Sequence, residues 1–145
     1  MSGITDPTEE YFKDGLWGWD GTQWRKAGLP LWYGGQIVQQ IVNINAAAGY
    51  AELAGNTVPA GEIWVIQVAG AVDINSALSR VLIYCLADEI PVTLAEEYSV
   101  SANHWVIVYP QIVIAPGDHL VALFYGCTAG DDIYFRYAGY KVKLA

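Results

Sequence analysis

Positive charge is scarce in this chain, and so are the residues that most often bind metals. The 145 residues include seven Lys and Arg, fifteen Asp and Glu, two His and two Cys, with a formal net charge of −8. A nucleic-acid-binding protein needs a basic surface to displace counterions from phosphates, so the composition argues against a nucleic-acid partner. All charged residues together make up 15% of the chain, against about 25% in typical domains. We expect a partner chain to cover some of the apolar surface.

The sequence has no pattern typical of an enzyme or a cofactor site. A nucleophile elbow, a phosphate loop and a dinucleotide-binding fingerprint are missing. Asp118 and His119 would need a distant third ligand to bind zinc or iron, so a solvent-facing turn is the simpler interpretation. The adjacent acids Asp131 and Asp132 point to opposite faces of a strand, and a calcium loop would need more alternating acids. These observations predict a non-enzymatic protein without cofactor or metal.

Membrane-targeting and secretion signals are also missing. The first residues have neither the basic region nor the apolar core of a secretion signal. The longest apolar runs are shorter than the ~20 residues that span a bilayer as a helix. Cys85 and Cys127 lie in apolar, strand-like contexts, which favours free buried thiols in a reducing compartment over a disulfide. We therefore expect synthesis in the cytoplasm and no membrane partner.

From residue 36 onward the chain is a succession of β-strand patterns. Hydrophobic residues make up 54% of the sequence, and no segment shows a helical periodicity of about 3.6 residues over a helical length. Pro-Gly turns in residues 58–62 and 115–118 precede long apolar strands. The strand-like segments are residues 36–44, 50–53, 62–72, 80–86, 92–97, 105–109, 111–114, 119–125 and 133–142. This spacing predicts an all-β fold, a single antiparallel β-sandwich of jelly-roll type with about eight strands, spanning residues 36–145.

Two of the predicted strands are apolar on both faces. Residues 119–125 have no polar face after His119, and Arg136 is the main interruption in residues 133–142. One face of each strand in a two-sheet sandwich normally contacts water. Either the N-terminal segment covers these strands or they form a subunit interface. We favour the interface, with a symmetric homo-oligomer as the expected assembly.

Residues 1–35 form a separate N-terminal arm with a different composition. The arm holds four of the six Trp residues and shows no sustained periodicity. Asp20-Gly21 predicts a two-residue turn between short aromatic strands, which makes a small hairpin. Because large aromatic side chains often anchor protein interfaces, we expect the arm to bind another chain. The candidate interface residues are Trp17, Trp19, Trp24, Arg25, Lys26, Trp32 and Tyr33. The alternatives are a small core packed on the sandwich, or carbohydrate binding by exposed Trp.

Two segments resemble structural proteins of tailed bacteriophages. Residues 16–26 (LWGWDGTQWRK) are similar to a short aromatic element of such proteins. Residues 124–134 (FYGCTAGDDIY), closed by Gly139-Tyr140, are similar to the end of jelly-roll virion proteins. The class includes capsid decoration (cement) proteins, head fibres and tail or baseplate attachments, and it brings no catalytic residues.

The resemblance implies a virion protein, made in the host bacterial cytoplasm and bound to the capsid surface. It implies a decoration protein that binds and stabilises the phage major capsid protein as a homo-oligomer, a trimer in many members of the class. A tail, fibre or baseplate module that contacts the host surface is one alternative. A carbohydrate-binding β-sandwich is the other.

Overall fold

The computed structural model describes residues 17–19, 22, 24–26 and 33–143, with side chains for residues 22 and 33–143. In the arm, Trp17–Trp19 (β1) and Trp24–Lys26 (β2) pair antiparallel. The two short strands predicted for the hairpin are thus present in the backbone. Trp19 lies opposite Trp24, and the turn predicted at Asp20-Gly21 lies outside the described residues.

Nine further strands build the sandwich. They are Tyr33–Asn43 (β3), Gly49–Ala54 (β4), Glu62–Asp73 (β5), Leu78–Ala87 (β6), Ile90–Val100 (β7), Val106–Val108 (β8), Ile112–Ile114 (β9), His119–Cys127 (β10) and Ile133–Lys143 (β11). Every strand predicted from the sequence is present, with its ends shifted by at most three residues. The start of β3 differs from the prediction by three residues, because the strand begins at Tyr33 and not at residue 36. Tyr33 therefore pairs with Val142 in the sandwich.

The strands form two antiparallel sheets. One, the four-stranded sheet, has the order β4-β10-β6-β7, and the other, the five-stranded sheet, has the order β3-β11-β5-β8 with β9 also paired to β5. Pro110 separates β8 from β9, and the two act as halves of one interrupted strand because proline cannot donate a ladder hydrogen bond. Consecutive strands alternate between the sheets except in the β6–β7 hairpin, which is the arrangement of a jelly roll. The predicted fold is confirmed.

The core lies between the two sheets. Tyr137, Phe124, Phe135, Ile66 and Ile83 are among its largest fully buried side chains. They come from strands of both sheets, as expected when every second residue of a strand points inward. Within the described residues, no helix is long and apolar enough to cross a membrane.

Both cysteines are buried in this core and free, as the sequence predicted. Burial raises the pKa of the Cys85 thiol and of the Cys127 thiol to about 11. Thiols with such a pKa are almost fully protonated at neutral pH, so both are poor nucleophiles.

The two predicted Pro-Gly turns lie side by side at one end of the sandwich. Gly61 and Gly117 have φ angles of +82° and +91°, which L-residues other than glycine rarely adopt. The amide N of Gly117 donates to the carbonyl O of Val58 at 2.9 Å, and the amide N of Val58 donates to the carbonyl O of Asp118 at 2.9 Å. The turns therefore hold each other in place and fix the entries to β5 and β10.

A β-bulge shapes the middle of the five-stranded sheet. The register between β11 and β5 shifts between Ala138 and Gly139. A Cβ atom on Gly139 would lie 1.9 Å from the carbonyl O of Val65, so only glycine fits there. The bulge increases the local twist of the sheet beside the surface described next.

Candidate interaction surfaces

The arm residues proposed as interface anchors fall largely outside the described side chains. The backbone places Trp17, Trp19, Trp24, Arg25 and Lys26 on the two short strands. Trp32 lies outside the described residues, whereas Tyr33 is exposed at the start of β3. The interface role of the arm stays a prediction.

Strand β10, predicted to be apolar on both faces, is buried on both faces within this chain. Its outward residues Val121 and Leu123 are only 1% and 9% exposed. The strand lies between β4 and β6, so each outward side chain has cross-strand neighbours on both sides. Contrary to the expectation from its sequence, the outward side chains of β10 are buried without a second chain.

The outward face of the five-stranded sheet exposes several aliphatic side chains. Alternation with the buried core residues of β11 places four cross-strand rows on it. The rows are Val42-Tyr134-Val72, Gln40-Arg136-Gly70-Ile107, Val38-Ala138-Val68 and Gln36-Tyr140-Val65-Val113. We call these residues the acid-free face, because none of the ten Asp and Glu between residues 33 and 143 is among them. Val38, Val113 and Ile107 are 77%, 64% and 52% exposed.

A groove with a volume of about 600 Å³ lies in this face. Its floor is at Gly70 and Ala138, where the side chains of the rows are smallest. Trp105 packs closely over the floor, since a Cβ atom on Gly70 would lie 3.3 Å from Trp105 Cε3. The walls include Val38, Val68, Trp105, Ile107 and Arg136. An apolar groove with one positive charge can accept an apolar side chain and a neighbouring hydrogen-bond acceptor.

Arg136 supplies the single charge of the acid-free face. Its Cζ atom lies 4.9 Å from the centre of the Trp105 ring and 5.6 Å from that of the Tyr134 ring. Its Nε donates a hydrogen bond to Gln40 Oε1 at 2.6 Å. Within residues 33–143, no carboxylate lies within salt-bridge distance of this guanidinium. The aromatic rings thus hold an unneutralised cation at the surface.

The outer face of the four-stranded sheet is built differently. One row of paired residues crosses all four strands: Tyr50-Tyr125-Arg80-Tyr98. The rings of Tyr50 and Tyr125 are 5.3 Å apart, and Arg80 lies 5.2 Å from the Tyr125 ring centre and 5.6 Å from that of Tyr98. Arg80 also binds Glu96, with Nε 2.8 Å from Oε1. We call this the tyrosine row.

Charges in the tyrosine row are compensated inside the chain. The pKa of Glu96 is lowered mainly because Tyr98 donates a hydrogen bond to it, with a further contribution from Arg80. On the neighbouring edge strand, Tyr50 bonds Glu52 at 3.3 Å. The polar groups of the four-stranded face are therefore paired with carboxylates of the same chain, whereas the acid-free face contains no carboxylate.

A buried acid pair, which the sequence did not reveal, connects two loops at one end of the sandwich. Asp73 and Asp131 are only 2% and 4% exposed. Asp73 Oδ1 accepts bonds from the amides of Asn75 (2.9 Å) and Ser76 (3.0 Å), and Asp131 accepts from the Thr128 amide (2.8 Å) and the Ser76 hydroxyl (2.9 Å). Asp73 Oδ2 has no hydrogen-bond donor.

The pKa values of the two acids shift in opposite directions. Burial, together with the nearby Asp131 carboxylate, raises the pKa of Asp73. Burial acts in the same direction on Asp131, but the bonds from Thr128 and Ser76 outweigh it and lower the pKa of Asp131. The protonated form is thus favoured more at Asp73 than at Asp131. The sequence pattern of an Asp at the end of a strand, followed by Asn75 and Ser76, could have predicted the turn. It could not have predicted that Asp131, on a distant loop, lies beside Asp73.

The histidines do not form a metal centre with the acids. His104 Nε2 lies 3.4 Å from Glu97 Oε1, and both side chains are exposed. His119 starts β10, as the sequence predicted. In residues 33–143 and the short described part of the arm, no group of three or more His, Cys, Asp and Glu could hold a metal ion.

Neither the protein-family models nor the curated proteins give a match to this chain. Among solved structures, one similar chain is the Drosophila NLP core, studied for pentamer formation and histone binding, which is 13% identical to this chain. The match covers 74% of this chain and 99% of the NLP core, with a TM-score of 0.37. An infectious bursal disease virus structure (Gx strain) is 13% identical, covers 98% of this chain and 38% of its own, with a TM-score of 0.41. The C-terminal domain of EclA, a sugar-binding protein, is 17% identical, with coverages of 94% and 99% and a TM-score of 0.37. These scores assign no function to the chain.

Proposed function

We propose that the protein is a non-enzymatic structural component of a bacteriophage particle, a decoration protein that binds the major capsid protein through the acid-free face. The observation that carries this proposal is an exposed, aliphatic sheet face without a carboxylate, on a chain whose net charge is −8. The resemblance of residues 16–26 and 124–134 supplies the bacteriophage and capsid parts of the proposal.

The composition of the face suits burial against protein. Interface centres are poor in acids and rich in aliphatic, aromatic and Arg side chains. Complete burial of a Val or Ile side chain contributes about 1.5–3 kcal/mol, and three such side chains on this face are more than half exposed. Arg136 adds a donor for a carbonyl or carboxylate at the centre of the contact.

A matched pair of variants tests the role of the face. Val113, on the acid-free face, and Ile90, on β7 of the other sheet, are 64% and 63% exposed. We expect V113D to lower binding to particles that lack the protein by about ten-fold or more, since a desolvated charge costs more than the ~1.4 kcal/mol that ten-fold represents. I90D should bind like the unmodified chain. Equal binding by both variants, at equal thermal stability, would rule out the acid-free face as the contact.

Copy number separates decoration from a tail or fibre role. A decoration protein occupies a lattice of equivalent sites on the shell, whereas a tail module is present in few copies. Quantitative gels of purified particles should therefore show a ratio to the major capsid protein near a small whole-number fraction. A few copies per particle would favour the tail or host-contact alternative.

A second candidate function, carbohydrate binding, rests on the tyrosine row. Exposed tyrosine rings can stack on sugar faces, while Arg80 and Glu96 beside them can bond hydroxyl groups. A glycan array with the unmodified protein and Y98A tests this function: signals that Y98A loses would support it. Because the row and the acid-free face lie on opposite sheets, the result does not depend on particle binding.

A further inference from the structure

The edges of the two sheets differ in how they are protected. A free strand edge exposes unpaired N–H and C=O groups, and natural proteins usually block it with charge, proline, bulges or a short strand. β7 carries Pro91, Glu96 and Glu97, and Pro110 interrupts the β8–β9 edge. β4 has six residues, including Glu52.

β3 is the exception. Its eleven residues (YGGQIVQQIVN) contain no charge and no proline, and among the described strands only β11 pairs with it. The register shifts at the start of the strand, between the partners of Lys141 and Val142, so residues 35–43 offer an uninterrupted edge. Val38 in its centre is 77% exposed.

We infer that β3 pairs antiparallel with β3 of a second copy of this chain about a two-fold axis, so that the five-stranded sheet continues across the dimer. The inference goes beyond capsid binding and does not depend on it. Antiparallel pairing of a strand with itself satisfies two-fold symmetry directly. A register centred on Val38 places Val38 opposite its own copy and Gln36 opposite Gln40.

Charge favours this edge for self-association over the others. Two chains of net charge −8 repel each other, and the repulsion is weakest where the facing strands have no acid. Pairing through β7 would bring Glu96 and Glu97 towards their own copies. With the two-fold axis perpendicular to the sheet, both acid-free faces lie on the same side of the dimer, and they join into one continuous surface.

Cysteine cross-linking in the full-length protein tests the pairing. Facing residues in antiparallel strands have Cα atoms about 4.5–5.5 Å apart, within the range that a disulfide bridges. Under mild oxidation V38C alone and an equimolar mixture of Q36C with Q40C should give covalent dimers, whereas Q36C alone and Q40C alone should not. V113C is the matched control, because Val113 is 64% exposed on the same sheet but at its opposite edge. Cys85 and Cys127 are buried and do not compete.

Sedimentation at micromolar concentration gives the second measurement. The unmodified chain and V113K should sediment as dimers and V38K as a folded monomer, since lysines on facing strands repel and the exposed site tolerates the charge. Three results would each overturn the inference: a monomeric unmodified chain, no cross-link from any β3 cysteine, or a trimer that V38K leaves intact. A trimer with an unreactive β3 would point to the arm of a neighbouring chain as the strand's partner.

Discussion

Replacing Asp73 by Asn tests whether the buried acid pair shares a proton. Asp73 Oδ1 keeps its two amide donors in the variant, because the Asn carbonyl oxygen can take the same place. The Asn NH₂ group then lies where Asp73 Oδ2 lacks a donor, and it can donate to Asp131 at every pH. In the unmodified protein that bond requires the proton of Asp73.

The sign of the effect follows from the pKa of Asp73. A carboxyl group whose pKa is raised in the folded state stabilises the fold fully below its unfolded value, near 3.8, and this contribution is lost as the pH rises through the folded pKa. D73N should therefore match the unmodified protein at about pH 4 and exceed its stability above neutrality by about 1 kcal/mol, the net value of one hydrogen bond. For a chain of this length that corresponds to a Tm increase of roughly 2–4 °C.

Asp131 provides the opposite control. Both of its oxygens already accept hydrogen bonds, from the Ser76 hydroxyl and the Thr128 amide, so an Asn at this position has only one carbonyl oxygen for the two donors. D131N should lose about 1–3 kcal/mol at neutral pH, and this loss should shrink in acid because the lowered pKa of Asp131 stabilises the fold only at higher pH. Urea unfolding of the three proteins at acidic and basic pH measures both effects. A D73N protein less stable than the unmodified one above neutrality would refute the shared proton.

Three further outcomes follow from the structure. G139A should lose about 3 kcal/mol or fail to fold, because its Cβ would collide with the Val65 carbonyl in the bulge; thermal unfolding against unmodified protein measures the loss. A thiol reagent at about pH 8 should label Cys85 and Cys127 only after denaturation, and labelling of the folded protein would contradict their burial. Deleting residues 1–32 should leave the melting temperature unchanged and abolish particle binding, and W24A should weaken binding by about 2 kcal/mol; a sharply lower melting temperature would instead show that the arm covers its own sandwich.

The local sequence pattern was sufficient to predict the strands of the sandwich and the two Pro-Gly turns. Two-residue alternation, apolar runs and the Pro-Gly turns depend on neighbouring residues, so the nine sandwich strands and the glycine φ angles at residues 61 and 117 agree with the prediction. The burial of both cysteines also follows from their apolar neighbours. The local pattern did not predict where the first sandwich strand begins, because Tyr33 belongs to the sandwich only through its pairing with β11.

The amino-acid sequence by itself thus determined which segments are strands and that they pack as a sandwich, since side-chain alternation is a local property. Only the tertiary structure decided which strand lies at an edge and which in the centre. β10 and β3 are both uncharged apart from His119, yet the first is enclosed between β4 and β6, whereas the second pairs with β11 alone among the described strands. Likewise Asp73 and Asp131 become partners only because pairing of β5 with β11 brings their loops together. Strand order is set by contacts between distant residues, which no local pattern specifies.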